Sequence, residues 1–412
     1  MVSFYLLSIA LIVGCILLAI NKDVLSPAKI IYAFTFLFYF GVFLGDESPL
    51  TVAAYVCLML VLAICAFLDR GLVITPRESS YQISAAKYVV LLMLMMPALL
   101  LKIKLIVDEG GVVEYIMSLA FRVIDLEGRG WIVVLFSSVQ VFYIFHCFIY
   151  MLDGKRSGIK FILFALATLI FIFMALTSGS RSSLLIPLVT ILVMRHYLVK
   201  RIGFYVVAYC AVSILFFVAF YGAFRNDFGG TDFSEFNLNN LSVAHFYYGT
   251  NPLEIIGRSE INEPLVGATY FTVITNFIPR VFYPSKPDTG GLVFTKIYTG
   301  DQWGGMSNLA PGAFGEGIMN FGLVPGFLVG FLLVMLIAAS AVYFFRQSIQ
   351  YFFYGAAGLY FKGLLFVVSL NYVLVAARFS YSEFTNVFFS FFLFVVLPAG
   401  IAYLSLRVKL RV

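Results

Sequence analysis

The 412-residue chain is 62% hydrophobic and 18% aromatic but only 12% charged. Soluble domains carry about twice that charged fraction, so this composition excludes an ordinary soluble protein. The net charge is +6, and no nucleic-acid partner is predicted. In so apolar a chain the distribution of charge is more informative than its total.

Apolar runs of roughly 20 residues recur along the chain, and each has the length of a membrane-spanning helix. The first lacks a basic leader and a small-residue cleavage site, so we expect it to remain as a helix. The cysteines all fall inside such runs, which argues against disulfides. The sequence predicts an all-α polytopic membrane protein, a single integral membrane domain over residues 1–412. The eleven predicted spans are 3–20, 28–44, 50–68, 87–105, 131–151, 159–177, 182–198, 202–221, 320–345, 360–377 and 385–406.

The orientation follows from the connecting segments. With the N-terminus outside, most of the 27 Lys and Arg residues fall in short inner segments and most of the 21 acidic residues fall outside. The C-terminus is then inside. Two long segments, 106–130 and 222–319, lie on the outer face. The second is far longer than an ordinary connection, so we expect it to be functional and to carry short surface helices, for example at 234–248 and 267–278.

The stretch "LTSGSRSSLLIPL" (176–188) places Arg181 among serines at an outer turn. The following span begins there, and a helix N-terminus with Ser180, Ser182 and Ser183 offers N–H and hydroxyl donors to an anion. Arg181 adds a planar, permanently charged group that matches phosphate oxygens. The structural alternative is a capped turn whose arginine reaches lipid headgroups.

Three further segments bring charge to the same face. "NFIPRVFYPSKPDTGG" (276–291) carries Arg280 and Lys286, and "SNLAPGAFGEGIMNFGLVPG" (307–326) is a Gly-rich turn with Glu316. "AARFSYSEF" (376–384) presents Arg378, Tyr381 and Glu383. Each could be structural by itself, but several such turns on one face together indicate an anionic ligand.

Missing motifs narrow the chemistry. There is no phosphate-binding Walker loop, no G-x-G-x-x-G after a strand, and no cluster with metal-ligand spacing. We therefore predict neither a nucleotide nor a metal nor any other cofactor. A reaction on the outer face needs a substrate that is already activated and already in the membrane. A lipid diphosphate meets both conditions.

In their order around one large outer loop, "SGSRSSLL", "NFIPRVFYPSKP" and "GAFGEGIMNFGLVPG" resemble the O-antigen polymerase family, the Wzy-type polymerases of oligosaccharide repeat units. The resemblance covers roughly 170–390 by motif and the rest by topology. The spacing of Arg280 and Gly291 is similar to one found in some members. The family is similar in architecture to the multi-span (GT-C-like) glycosyltransferases.

The resemblance implies a bacterial inner-membrane enzyme that works on the periplasmic face without metal or nucleotide. It transfers a glycan from undecaprenyl diphosphate to the terminal sugar of another lipid-linked repeat unit, with inversion, and releases undecaprenyl diphosphate. Besides its lipid-linked substrates and the membrane lipids, the implied partner is a co-polymerase that determines chain length. Fixed cations would stabilise the departing diphosphate. We expect Arg181, Arg280 and Arg378 to do so, and Lys286 and Arg258 are further candidates for binding the diphosphate.

The acceptor hydroxyl needs a base, for which His245 and Glu316 compete. Their structural alternatives are a histidine on an amphipathic surface helix and a glutamate in a salt bridge. Two other functions share this substrate: a ligase that moves finished glycan to another acceptor, and a flippase of the lipid-linked oligosaccharide. A transporter commonly shows inverted repeats and a site near the midplane, and neither is evident here.

Overall fold

The computed structural model describes residues 2–44, 48–71, 81–118, 130–178, 180, 182–213, 247–259, 263–278, 282–300 and 309–408. The regular structure in these ranges is helical, without a β-strand. The helices are α1 Val2–Ile20, α2 Pro27–Phe38, α3 Pro49–Leu68, α4 Ala85–Asp108, α5 Val112–Ser118, α6 Gly130–Leu152, α7 Gly158–Leu176, α8 Ser182–Leu198, α9 Phe204–Ser213, α10 Asn251–Arg258, α11 Ala268–Thr275, α12 Gly290–Val293, α13 Gly312–Phe321, α14 Leu323–Tyr354, α15 Leu359–Phe379 and α16 Phe384–Arg407. Helix α16 includes a π-helical turn at Phe392–Val396.

Eight of the helices in the described ranges are long and apolar enough to cross a membrane: α1, α3, α4, α6, α7, α14, α15 and α16. This agrees with an all-α polytopic membrane protein. Three of the eleven predicted spans correspond to shorter helices here. Helix α2 has 12 residues and α8 has 17, and α9 is described over Phe204–Ser213. A count of eleven spans stays a prediction.

Local sequence signals set several helix starts. Ser26 and Ser48 are each followed by proline at the first helical position, where its missing N–H costs nothing. The Ser48 hydroxyl also accepts a hydrogen bond from the Thr51 N–H at 3.1 Å. Ser157 caps α7 in the same way, through the Lys160 N–H.

The described residues form two compact units. The first lies within Met1–Val73, Val243–Gln347 and Asn371–Phe392. In it α1 and α2 pack on α3, α10 packs on α3 and α13, and α11 packs on α13 and the start of α16. Its buried apolar cluster is Ile256, Phe294, Ile318 and Met319.

The second unit lies within Ile74–Ser242, Ser348–Leu370 and Leu393–Val412. Helix α4 packs on α6, α7 and the end of α16, and α6 also packs on α8. A buried ion pair joins Lys160 in the first turn of α7 to Asp153, which directly follows α6, at 2.8 Å. Asp153 also accepts a hydrogen bond from the Tyr88 hydroxyl at 3.1 Å, so the buried carboxylate is well satisfied.

Glycines let α13 and α14 approach each other at backbone distance. A Cβ on Gly317 would lie 2.1 Å from the Gly326 carbonyl oxygen, and a Cβ on Gly330 would lie 2.7 Å from the Ala313 carbonyl oxygen. Close glycine-mediated contact of this kind is a common way to associate helices where the surroundings are apolar. The Gly-rich composition of 307–326 is therefore explained here by helix packing.

We predict that Gly317→Ala destabilises the protein by about 1–3 kcal/mol, because the added methyl group forces the two backbones apart. The measurement is the thermal unfolding midpoint in detergent. Gly400→Ala is the matched control, since a Cβ at Gly400 meets nothing within 4 Å and alanine favours a helix. Equal unfolding midpoints for Gly317→Ala and the wild type would contradict the close contact.

Candidate functional site

The described part of the first unit contains a fully buried carboxylate, Glu316, on α13. One oxygen, Oε1, accepts a hydrogen bond from the Thr269 hydroxyl at 2.8 Å. The other, Oε2, accepts one from the Phe384 N–H at 2.6 Å, the first N–H of α16. A carboxylate is favoured at a helix N-terminus because the unpaired N–H groups carry partial positive charge. Glu316 thus joins α11, α13 and α16.

Polar side chains surround this carboxylate. Asn320, one turn further along α13, donates to the Thr269 hydroxyl and to the Glu316 carbonyl, both at 2.7 Å. Thr385 donates to the Thr269 carbonyl at 3.0 Å and shares a hydrogen bond with the Thr272 hydroxyl. All of these side chains are buried. Since buried polar groups require partners, the network fixes α11 against α13 and α16.

A second buried carboxylate, Glu383, precedes α16. It accepts a hydrogen bond from the Gly291 N–H, and the Thr289 hydroxyl is close enough to oppose the rise of its pKa. The adjacent Gly290 leaves room for the first carboxylate, because a Cβ there would lie 2.6 Å from Glu316 Oε1. The two glycines that end the 276–291 segment therefore contact both glutamates.

The two carboxyl groups influence each other. Burial raises the pKa of Glu316 to about 8, with the neighbouring Glu383 as the second cause, while the hydrogen bonds from Phe384 and Thr269 oppose the shift. Burial also raises the pKa of Glu383, against its hydrogen bonds from Gly291 and Thr289. No described lysine or arginine forms an ion pair with either glutamate. The salt bridge considered for Glu316 is therefore absent from the described residues.

This arrangement brings together parts of three segments that the sequence singled out. Glu316 belongs to 307–326, Gly290 and Gly291 belong to 276–291, and Glu383 belongs to 376–384. A pair of buried carboxylates at their junction can hold backbone N–H groups in place. It can also hold or release a proton, since proximity and burial separate the two pKa values from those of free carboxyl groups.

Arg378 lies near the end of α15 and is partly exposed. Its Nε donates to the Leu374 carbonyl at 3.2 Å, a placement that suits a cation near a helix C-terminus. Neither terminal nitrogen donates to a described residue, and no described carboxylate is within ion-pair distance. Tyr381 follows in the same turn and interacts electrostatically with the guanidinium. Arg378 thus keeps donors for an anionic ligand.

The two further candidates for binding the diphosphate, Arg258 and Lys286, each contact a residue nearby in the chain. Arg258 forms an ion pair with Glu254 at 3.0 Å across one turn of α10, and its side chain is 75% exposed. Lys286 is partly exposed, and its ammonium donates to the Ile278 carbonyl at 3.2 Å. Exposed pairs of this kind are weak, so neither contact prevents a ligand from recruiting these side chains.

The serines at 178–183 cap the junction of α7 and α8. The Ser183 hydroxyl lies 2.6 Å from that of Ser178 and donates to the Ala175 carbonyl at 3.2 Å. Ser180 and Ser182 share a hydrogen bond of 2.8 Å at the exposed side. These hydrogen bonds link the end of α7 to the start of α8, and Ser180 and Ser182 are at least partly exposed.

Lys102, a residue not predicted to belong to the site, is buried within α4. Its ammonium donates to the Tyr115 hydroxyl at 2.8 Å and to the Thr177 carbonyl at 3.0 Å. It also lies 4.3 Å from the centre of the Phe136 ring. A lysine inside an apolar run was the available signal, since such residues are costly and commonly functional. Thr177 immediately precedes the serine-rich turn, so Lys102 adds positive charge beside it.

Arg181, Arg280 and His245 lie outside the described residues, and their roles stay predictions. Within the described ranges, no group of three or more His, Cys, Asp or Glu side chains could hold a metal ion. Comparison of the chain with protein-family models, with curated proteins and with solved structures gives no match.

The raised pKa of Glu316 predicts a pH-dependent stability. The pKa of this carboxyl group is about 8 in the folded protein and 4.5 in the unfolded chain. Its contribution to the free energy of unfolding is therefore fully present below about pH 4.5 and is lost as the pH rises through about 8. Glu316→Gln, which stays neutral, should remove this loss. We expect the variant to gain on the order of 1–3 kcal/mol over the wild type at pH 8, and little at pH 5.

Thermal unfolding midpoints in detergent between pH 5 and 9 provide the measurement. Glu383 and Tyr270 interact electrostatically with Glu316, so Glu383→Gln should reduce the same pH dependence in part. Glu263→Gln, at an exposed position, is the control that leaves the profile unchanged. A Glu316→Gln profile parallel to that of the wild type would refute the assignment.

Proposed function

We propose that the protein is a polymerase of lipid-linked oligosaccharide repeat units, similar in activity to the O-antigen polymerases. It joins undecaprenyl-diphosphate-linked glycans on the periplasmic face of the bacterial inner membrane, with inversion, and releases undecaprenyl diphosphate. In this proposal the architecture is GT-C-like with about eleven spans. The N-terminus is periplasmic, the C-terminus is cytoplasmic, and a chain-length-determining co-polymerase is the partner.

One observation carries the proposal: the segments at 276–291, 307–326 and 376–384 meet at the buried pair Glu316 and Glu383, with Arg378 in the adjoining turn. Two of these segments contribute to the family resemblance, and the third supplies a guanidinium without a carboxylate partner among the described residues. A ligand with several acceptor oxygens, such as a diphosphate, complements that group.

The chemistry assigns separate tasks to the cations and the base. As the bond between the anomeric carbon and the phosphate oxygen breaks, negative charge grows on the leaving diphosphate. Arg378 stabilises this charge, together with Arg181 and Arg280 as the sequence predicts. Groups fixed before the reaction stabilise such charge most effectively, because they need not reorganise during the step.

The base removes the proton from the acceptor hydroxyl as that oxygen attacks the opposite face of the donor sugar. A base must reach this hydroxyl directly or through one water. Full burial of Glu316, with both oxygens occupied by Thr269 and Phe384, favours a positioning role for it. We therefore assign the base to His245, and the Glu316 cluster holds the turn that carries Arg378.

The direct experiment is incubation of the purified full-length protein, in lipid nanodiscs, with lipid-linked repeat units extracted from the cells that carry it. EDTA is present and nucleotides are absent. A ladder of glycans on the lipid supports the polymerase. Transfer only to an added lipid A core acceptor would make the protein a ligase, and lipid translocation without a covalent product would make it a flippase.

We predict that Arg378→Ala slows ladder formation by roughly 10²–10³, because one fixed donor to the leaving diphosphate is lost. Arg280→Ala should act similarly. Arg378→Lys should recover part of the rate, since lysine keeps the charge but lacks the planar fork. Lys22→Ala, an exposed change in a predicted inner segment, is the control. Wild-type rates for Arg378→Ala would remove this residue from the mechanism.

A further inference from the structure

Three aromatic rings from separate parts of the first unit lie together near Arg378. The centres of the Phe38 and Tyr381 rings are 4.1 Å apart with planes inclined at 31°. The Phe38 and Tyr248 ring centres are 6.0 Å apart with planes inclined at 39°. The positive charge of Arg378 is close enough to Tyr381 to oppose the rise that burial gives the pKa of its hydroxyl. One cluster therefore combines three rings with a cation.

The cluster is held by contacts that leave little freedom. The Gly249 N–H donates to the Phe38 carbonyl at 3.0 Å, and the Tyr39 hydroxyl donates to the Ser380 carbonyl at 3.0 Å. A Cβ on Gly249 would lie 2.3 Å from the Tyr39 ring, so only glycine fits this contact. These interactions seat the turn that contains Tyr248, and the turn that contains Tyr381, on the end of α2. A surface that is rigid before binding loses less entropy when a ligand docks.

Part of this aromatic surface is accessible. Tyr248 is 46% exposed, and Phe38, Tyr381 and Arg378 are each partly exposed. An aromatic face next to a guanidinium suits a ligand with an apolar ring face and an adjacent anion. A pyranose linked to a diphosphate has both, because the C–H groups of one sugar face pack against an aromatic ring while the phosphate oxygens accept hydrogen bonds.

We infer that Tyr248, Phe38 and Tyr381 form a stacking platform for the sugar attached to the lipid diphosphate, beside the Arg378 guanidinium. The identity of this ligand rests on the proposed function. Tyr248, the most exposed ring, makes the sugar contact, and Phe38 and Tyr381 support it from behind. Arg378 binds the diphosphate. The platform thereby orients the anomeric carbon that is attacked in the transfer reaction.

Aromatic residues at a membrane surface also interact with lipid alone, and this alternative makes a different prediction. A ring that contacts only the lipid would bind undecaprenyl diphosphate equally well with and without a sugar. A sugar platform favours the sugar-bearing lipid. Comparing the binding of the lipid with and without the sugar therefore distinguishes a sugar site from a lipid contact.

The test measures binding of two probes to the full-length protein in nanodiscs: undecaprenyl diphosphate and undecaprenyl diphosphate carrying one N-acetylglucosamine. Tyr248→Ala should weaken binding of the sugar-bearing lipid roughly tenfold and leave binding of the bare lipid unchanged. Tyr248→Phe should restore the wild-type preference because the ring remains. Arg378→Ala should weaken binding of both lipids.

Tyr354→Ala is the matched control, since it removes an 80% exposed tyrosine that is not one of the three rings of the cluster. The thermal unfolding midpoint of each variant verifies that it is folded. Equal losses for both lipids in Tyr248→Ala, or no loss for either, would overturn the platform. If wild-type protein forms no glycan ladder but the sugar-dependent loss persists, the platform stands and the polymerase proposal fails. If ladders form without that loss, only the platform fails.

Discussion

A carboxylate withdrawn from water needs hydrogen-bond donors, and this requirement organises the first unit. Glu316 finds two donors, the Thr269 hydroxyl and the Phe384 N–H, on helices distant from its own in sequence. An unmade hydrogen bond to a buried polar group costs more than a formed one contributes. Displacing either helix therefore carries a direct penalty. This constraint gives α11, α13 and α16 one common geometry.

The neighbouring Glu383 extends the constraint to the residues at the start of α12. The hydrogen bond that it accepts from the Gly291 N–H attaches the end of 276–291 to the start of α16. Two close carboxyl groups ionise together only at a cost, so one of them holds a proton more readily than it would alone. Among the described residues the two glutamates are thus held by hydrogen bonds and not by a lysine or an arginine. Arg378 therefore remains available for a ligand.

The sequence was sufficient for the class of fold and for the positions of the long helices, because runs of apolar residues report their length directly. It also placed a short helix within 267–278, found as Ala268–Thr275. The hydrogen bonds of Glu316 with Phe384 and of Glu383 with Gly291 could not be predicted from the sequence, because they join residues far apart in the chain. Lys102 was missed because its partners, Tyr115 and Thr177, carry no charge. In the Gly-rich turn, Gly317 and Gly326 allow close contact between two helices, and the sequence alone does not distinguish this from close approach to a ligand.

The proposed function requires that one site hold a growing chain and yet release it after each transfer. Contacts of different character meet this requirement. A guanidinium recognises the diphosphate strongly, and only one end of the chain carries that group. Stacking of the sugar on Tyr248 depends on the ring face rather than on a charge, so in this proposal it is the weaker of the two contacts. Loss of the diphosphate then removes the strong contact, and the weaker aromatic contact alone permits the product to move on.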